Sequence, residues 1–272
     1  MPELPEVETI RRDLCASARG RRIASVEVLN RGSVRGGSPA EFSRALAGRR
    51  LAGFRRRGKY LIADLDSGRS LVVHLKMTGV LQLQKPDDSP PRAARIIFSF
   101  AGGGRLAFSD QRKFGFVQLV DDPDILPALG KLGPEPLAPS FTARSLEKRI
   151  RGRMAPIKPL LLDQSVVAGL GNIYACEALH RAGIKPQRPA SSLSGKEIAG
   201  LHRSIRGVLK SAIRARGSSV DTYRDGRGKS GWFQVSHRVY GRQGGKCRLC
   251  GCAIVREALR GRGTYWCPGC QH

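Results

Sequence analysis

Two Cys-x-x-Cys pairs near the C-terminus constrain this chain more than any other feature: Cys247 and Cys250, then 16 residues, then Cys267 and Cys270. Two such turns can deliver four thiolates tetrahedrally to one ion. The segment is too short to bury a core of its own, so metal binding supplies most of its folding free energy, on the order of ten kcal/mol. Four protein ligands close the coordination shell and leave no position for substrate or water, so a bound Zn2+ is structural. A redox dithiol would not need two matched pairs, and Cys252 falls outside the pattern. Five of the seven cysteines lie in the last 26 residues, a local device and not a disulfide framework. With no apolar secretory segment at the N-terminus, a reducing compartment is expected.

The charge balance identifies the partner. Lys plus Arg number 48 against 22 acidic residues, a formal net charge of +26 with pI ≈ 10.9, and the excess is spread along the whole chain. Hydrophobic residues still make up 40%, so this is a folded basic protein whose natural partner is a polyanion. A basic membrane-surface protein is the alternative, but the chain has no lipidation signal and no apolar run long enough to span a bilayer. The 272 residues suffice for two domains, each with its own core.

Periodicity predicts an α+β architecture. Residues 5–18 read as an amphipathic helix, with Val7, Ile10 and Leu14 on one stripe. From Arg22 to about Asp121 short apolar strands alternate with turn signals, which predicts a two-layer β-sandwich with a short helix near residues 39–48. The expected strands are 23–28, 60–65, 71–75, 95–100, 106–108 and 114–119. The proline-rich stretch 132–140 marks an interdomain linker after an N-terminal domain of residues 1–131. Residues 141–216 then read as helical. Ser194 to Glu197 matches a capping box, Ile198, Leu201, Ile205, Val208 and Ile213 form the following stripe, and Gly217 closes the helix. Residues 217–231 are polar and glycine-rich, a mobile loop within a 217–236 region, and 237–272 forms the cysteine finger.

The first residues, Met1-Pro2-Glu3-Leu4-Pro5-Glu6-Val7-Glu8, can be read in two ways. Proline and carboxylates suit a helix start, and on this stretch alone that is the simpler reading. If Met1 is removed, however, Pro2 becomes a secondary amine that can attack a sugar aldehyde carbon and form an iminium, an electron sink. Gly169-Leu170-Gly171-Asn172 runs into a helix whose exposed N–H groups could hold an anion, although glycines also simply make turns. Arg260-Gly261-Arg262-Gly263 between the cysteine pairs can approach a phosphate, with a solvated basic turn as the alternative. Lys59, His74, Met77, Arg112 and Phe114 sit at strand ends, and each alone has an ordinary structural reading.

In combination and in this order, the Pro-Glu-Leu-Pro-Glu-Val-Glu start, Leu170-Gly171-Asn172-Ile173-Tyr174-Ala175, Val239-Tyr240-Gly241-Arg242 and the terminal finger resemble the formamidopyrimidine-DNA glycosylases. The resemblance covers essentially the whole chain. It implies an N-terminal helix with a β-sandwich, a helix–two-turn–helix domain and a four-cysteine zinc-finger hairpin in a bacterial cytoplasmic monomer working on nucleoid DNA. The implied activity is base excision repair: excision of oxidised purines such as 8-oxoguanine from damaged duplex DNA, then β,δ-elimination, with one structural Zn2+. By resemblance Pro2 is the nucleophile, Glu3 the general acid/base, and Glu6 helps to arrange the site. Lys59 contacts the lesion region and a neighbouring phosphate, and His74, Asn172 and Arg262 grip phosphates, with Lys158 a further DNA contact. Met77, Arg112 and Phe114 fill the gap left by the flipped base.

Four positions depart from the family pattern: Lys76 where glycine is usual, Gln111 and Lys113 in the usual Asp-Pro-Arg-Arg-Phe-Gly, and Asp221 where Lys or Arg is common. Asp221 implies a loop that discriminates poorly among lesions. Competing readings are the related endonuclease VIII chemistry on oxidised pyrimidines, against which Leu4 argues, and a non-catalytic damaged-DNA-binding protein with Met1 retained. A zinc-ribbon RNA binder is more distant.

Overall fold

A computed structural model describes residues 1–272 and divides them into two units: 1–130 with 215–232, and 131–214 with 233–272. The first unit opens with helix α1 (Leu4–Ser17). Then come β1 (Ile23–Val28), β2 (Val34–Arg35), α2 (Pro39–Leu46), β3 (Leu51–Arg57), β4 (Tyr60–Leu65) and β5 (Ser70–His74). β6 (Gly79–Gln84), β7 (Ala94–Phe100), β8 (Arg105–Asp110), β9 (Phe116–Val120) and the one-turn α3 (Pro127–Gly130) complete it.

The strands form two sheets, ordered β1-β7-β8-β6 and β2-β9-β5-β4-β3. Their inner faces share one core, including Leu61, Val73, Ile96, Phe98, Phe108 and Val117, against which Val7, Ile10 and Leu14 of α1 also pack. The sandwich is as expected. Sequence reading missed β3 and β6. β3 ends in three consecutive arginines, which break its alternation, yet it lies at a sheet edge where Arg55 pairs with Asp64 on the neighbouring strand. β6 begins at Gly79, whose amide closes a turn back onto the Leu75 carbonyl.

The second unit holds α4 (Ala143–Ile150), α5 (Ile157–Leu162), α6 (Asn172–Ala182), α7 (Gly195–Arg214) and the antiparallel ribbon β10 (Val255–Leu259) and β11 (Arg262–Trp266). Ser194 and Glu197 exchange the reciprocal bonds of a capping box, so α7 starts as expected. It ends at Arg214, before Gly217. Residues 132–140, expected as a linker, are docked on the helical unit. Gly133 N donates to Gln164 O, Ala168 N to Pro134 O, and the Arg206 guanidinium to the carbonyls of Pro136 and Ala138.

Residues 217–231, expected to be a mobile loop, are tied into the first unit. Leu83 N donates to Gly226 O, and Trp232 N to Ala215 O. The Asp225 carboxylate accepts from Arg227 N and Lys229 N and shapes the turn.

Candidate active site and nucleic-acid interface

Pro2 and Glu3 are both buried where α1 begins. Glu3 N donates to Glu6 Oε2 at 2.8 Å, and Ser218 N donates to Glu6 Oε1 at 2.8 Å. Glu6 therefore ties the first turn to the 217–231 segment and fixes the backbone of the residue beside Pro2. One turn on, burial alone would raise the Glu8 carboxyl, but hydrogen bonds from Arg11 and Arg12 and the charge of Arg56 bring it down to about 2. That ion cluster anchors α1 to β3 through Arg56.

Lys59, in the β3–β4 turn, is buried, as is His74 at the end of β5. The His74 ring packs edge-on to Tyr60 at 4.5 Å and stacks on Phe116 at 6.0 Å. Burial depresses its pKa to about 3, with the cations of Lys76, Lys59 and Arg35 adding to the shift. Neutral His74 accepts Lys76 N at Nδ1 over 2.9 Å, so its proton sits on Nε2 and that edge is a donor. Arg35 lies 3.7 Å over Phe116 and Lys76 5.9 Å from the same ring. Lys76 has φ +52°, a left-handed backbone that costs a side-chain-bearing residue about 1–2 kcal/mol. Glycine would take it without strain.

Met77 and the Arg112–Phe114 tip lie in neighbouring loops that one carboxylate organises. Asp110, buried at the end of β8, accepts from the Thr78 hydroxyl, from Arg112 N at 3.2 Å and from Gly115 N at 2.7 Å. Gly115 is required because a Cβ there would stand 2.7 Å from the Phe108 ring. Phe114 is left 51% exposed with the Arg112 guanidinium 4.8 Å over its face. An exposed aromatic on a braced turn suits insertion into a stack of planar rings.

In the second unit, α5, two turns and α6 form the expected helix–two-turn–helix. The Gln164 amide braces the turns, donating to Leu162 O and Leu170 O and accepting from Gly169 N. Asn172 Nδ2 donates to Gly263 O at 2.9 Å, and Lys158 Nζ donates to the same carbonyl at 3.1 Å and to Thr264 Oγ1 at 2.7 Å. Lys158 is fully buried, which corrects its assignment as a direct DNA contact. Its charge secures the hairpin next to Arg262, whose side chain is exposed. The hairpin turns through Arg260 (φ +46°) and Gly261 (φ +72°), a two-residue left-handed loop.

The four cysteine sulfurs all lie within 4.8 Å of one another, Cys250 to Cys267 at 3.4 Å and Cys247 to Cys270 at 3.8 Å. Tetrahedral thiolates around zinc stand about 3.8 Å apart, so the cluster fits a metal ion of that kind. His180 Nε2 approaches Cys247 Sγ at 3.6 Å, while Gln271 accepts Cys267 N and donates to Ile184 O.

Sequence reading missed the residues that hold these parts in place. Glu177, buried in α6, accepts the amides of Arg238, Val239 and Tyr240 at 2.9–3.0 Å. Its only signal is an acidic residue on a helix face that is otherwise apolar. Gln164 and Asp110 act similarly, and Asp110 alone was visible as the head of its motif.

Fold and site together define a class of two-unit proteins. These start Pro-Glu on a sandwich-packed helix and carry a helix–two-turn–helix with a four-cysteine ribbon. Residues 1–117 match the formamidopyrimidine-DNA glycosylase N-terminal domain and residues 132–224 its H2TH domain. The chain is 46% identical to the formamidopyrimidine-DNA glycosylase of Pelotomaculum thermopropionicum, covering 100% of this chain and 99% of that one. Against the Chloroflexus aurantiacus protein of the same name, identity is 44% over 100% and 98%. A Lactococcus lactis Fpg mutant solved with Fapy-dG-containing DNA superposes with a TM-score of 0.94 at 38% identity, covering 100% of both chains. The wild-type L. lactis protein solved with DNA containing an oxidised pyrimidine gives 0.93 at 38%. The chain belongs to the formamidopyrimidine-DNA glycosylase family.

Proposed function

We propose that the chain is a bifunctional DNA glycosylase and abasic-site lyase that excises oxidised purines from duplex DNA in the bacterial cytoplasm. The observation that carries this reading is the buried Pro2-Glu3 pair, with the Glu3 backbone fixed by Glu6. With Met1 removed, the Pro2 amine attacks C1′ of the damaged nucleotide while Glu3 protonates the sugar-ring oxygen, and the base departs. The resulting iminium carries its charge without a proton and acidifies C2′. Loss of that proton expels the 3′ phosphate, and a second elimination expels the 5′ phosphate. No redox or nucleotide cofactor enters.

A base inside a duplex cannot present C1′ to an amine, so it must first be flipped out at a cost of a few kcal/mol. Met77 and Phe114 fill the vacated space and Arg112 faces the orphaned partner base. Lys59, neutral His74, Asn172 and Arg262 contact phosphates around the extruded nucleotide. Lys158 acts on DNA only by fixing the hairpin that presents Arg262. The four cysteines would hold one Zn2+, which supplies structural cross-linking and no chemistry.

Incubation with duplexes carrying 8-oxoguanine opposite cytosine should give a one-nucleotide gap with phosphate at both ends. Stronger cleavage of an oxidised-pyrimidine duplex would move the reading to the endonuclease VIII side. Tight binding without cleavage would leave only a damage-binding protein.

A further inference from the structure

Arg216 holds a backbone conformation that suits glycine, φ +61°, two residues beyond the end of α7. An arginine in such a conformation needs a compensating contact. Its guanidinium meets two buried carboxylates: Nε and Nη2 reach Asp225 Oδ2 at 2.8 and 2.5 Å, and Nη2 reaches Asp13 Oδ2 at 2.6 Å. Asp225 is fully buried and the Asp13 side chain is 2% exposed. Asp13 also accepts Gly226 N and pairs with Arg227 at 3.2 Å. Asp13 belongs to α1, the helix that begins at Pro2 and Glu3.

The backbone leaving Arg216 leads to the reacting end of that helix. The Arg216 carbonyl accepts the Tyr223 hydroxyl at 3.1 Å. Gly217 (φ +85°) lies so close to Glu6 that a Cβ there would stand 2.8 Å from Glu6 Oε1. Ser218 N then donates to that same oxygen, and the other Glu6 oxygen holds Glu3 N. The segment's far limb is fixed as tightly, because Gly231 N donates to Ser219 Oγ.

We infer that Arg216, gripped by Asp13 and Asp225, is a positioning residue: it holds Gly217 and Ser218 against Glu6 and so orients Glu3 beside the reacting amine. The inference rests on the proposed chemistry at Pro2. Two buried carboxylates without the guanidinium would repel one another, so removing Arg216 loosens the hold of α1 on the segment, leaving Arg227 and Gly226 N on Asp13.

The test is R216G, which removes the guanidinium while suiting the left-handed backbone, with D13N and R216K beside it. Single-turnover excision at saturating enzyme and binding to a duplex carrying an uncleavable tetrahydrofuran abasic analogue are measured for each. R216G should slow excision at least tenfold and change the Kd less than threefold. D13N should slow it in the same sense by a smaller factor, and R216K should recover part of the rate. Borohydride trapping of the parent protein on an abasic duplex is the control: failure there removes the proposed chemistry itself. If the parent traps but R216G excises within twofold of it, or if the loss lies in Kd instead, the positioning role is wrong. Should R216G not fold by circular dichroism, D13N decides: an excision rate within twofold of the parent, or a loss carried by Kd, overturns the role.

Discussion

Replacing Lys76 with glycine separates two effects that the structure places in opposition at one residue. Relief of the left-handed strain at φ +52° is worth about 1–2 kcal/mol. The added freedom of glycine in the unfolded chain offsets about 0.5–1 kcal/mol, and loss of the distant Lys76–Phe116 contact offsets roughly 0.5 more. A net stabilisation of about 0.25 kcal/mol remains, which raises Tm by roughly 0.5–1 °C in a chain of this size. If the Lys76 ammonium meets a DNA phosphate, removing its charge reduces the slope of log K against log salt by about 0.9. Between 50 and 200 mM salt, K76G should therefore lose about 3.5-fold less affinity than the parent loses. Calorimetry of the free protein and fluorescence anisotropy on a tetrahydrofuran duplex at four salt concentrations read both quantities. An unchanged slope would refute the phosphate contact, and a Tm lowered by more than about 2 °C would refute the strain argument.

Four further outcomes follow from the same geometry. His74 refuses a proton down to about pH 3 in the folded protein, whereas an unfolded histidine accepts one near 6.5. Stability is thus unaffected above pH 6.5 and falls as pH drops from 6.5 towards 3, by about 2 kcal/mol at pH 5; urea midpoints at pH 7 and 5 should differ more in the parent than in H74Q. Because His74 acts as a neutral donor, H74A should weaken DNA binding while leaving the salt slope unchanged. At Glu177, alanine strands one buried and two partly buried amides and should cost about 2 kcal/mol or more, while glutamine keeps part of the set and should cost about 1, by denaturant titration. Chelation should remove one zinc per chain by native mass spectrometry and abolish DNA binding, whereas metal-independent binding would rule out a structural role for the finger.

What the sequence made legible was mostly local. The cysteine spacing, the Ser194–Glu197 capping box and the strand alternation each depend on neighbours within a few residues, and each appears in the structure. Long-range charge pairing was not legible. Asp13 and Arg216 are 203 residues apart, and nothing near either announces the other, so a glycine-rich stretch read as mobile. Lys158 misled for a related reason. A lysine in a basic protein is expected to face solvent, and only the fold shows its ammonium between Gly263 and Thr264, more than 100 residues on. Gly217 read as a helix terminator because that is the common use of glycine after a helix. Its observed use is close approach to Glu6.

The central claim is that the secondary amine of Pro2 forms the bond to the sugar. Borohydride reduction of the protein with a duplex carrying 8-oxoguanine opposite cytosine, followed by proteolysis and mass spectrometry, tests it most directly. The account predicts a stable DNA adduct on the N-terminal peptide, attached at Pro2 and lacking Met1. An adduct on a lysine, or none on either this duplex or an abasic one while DNA remains bound, would contradict it.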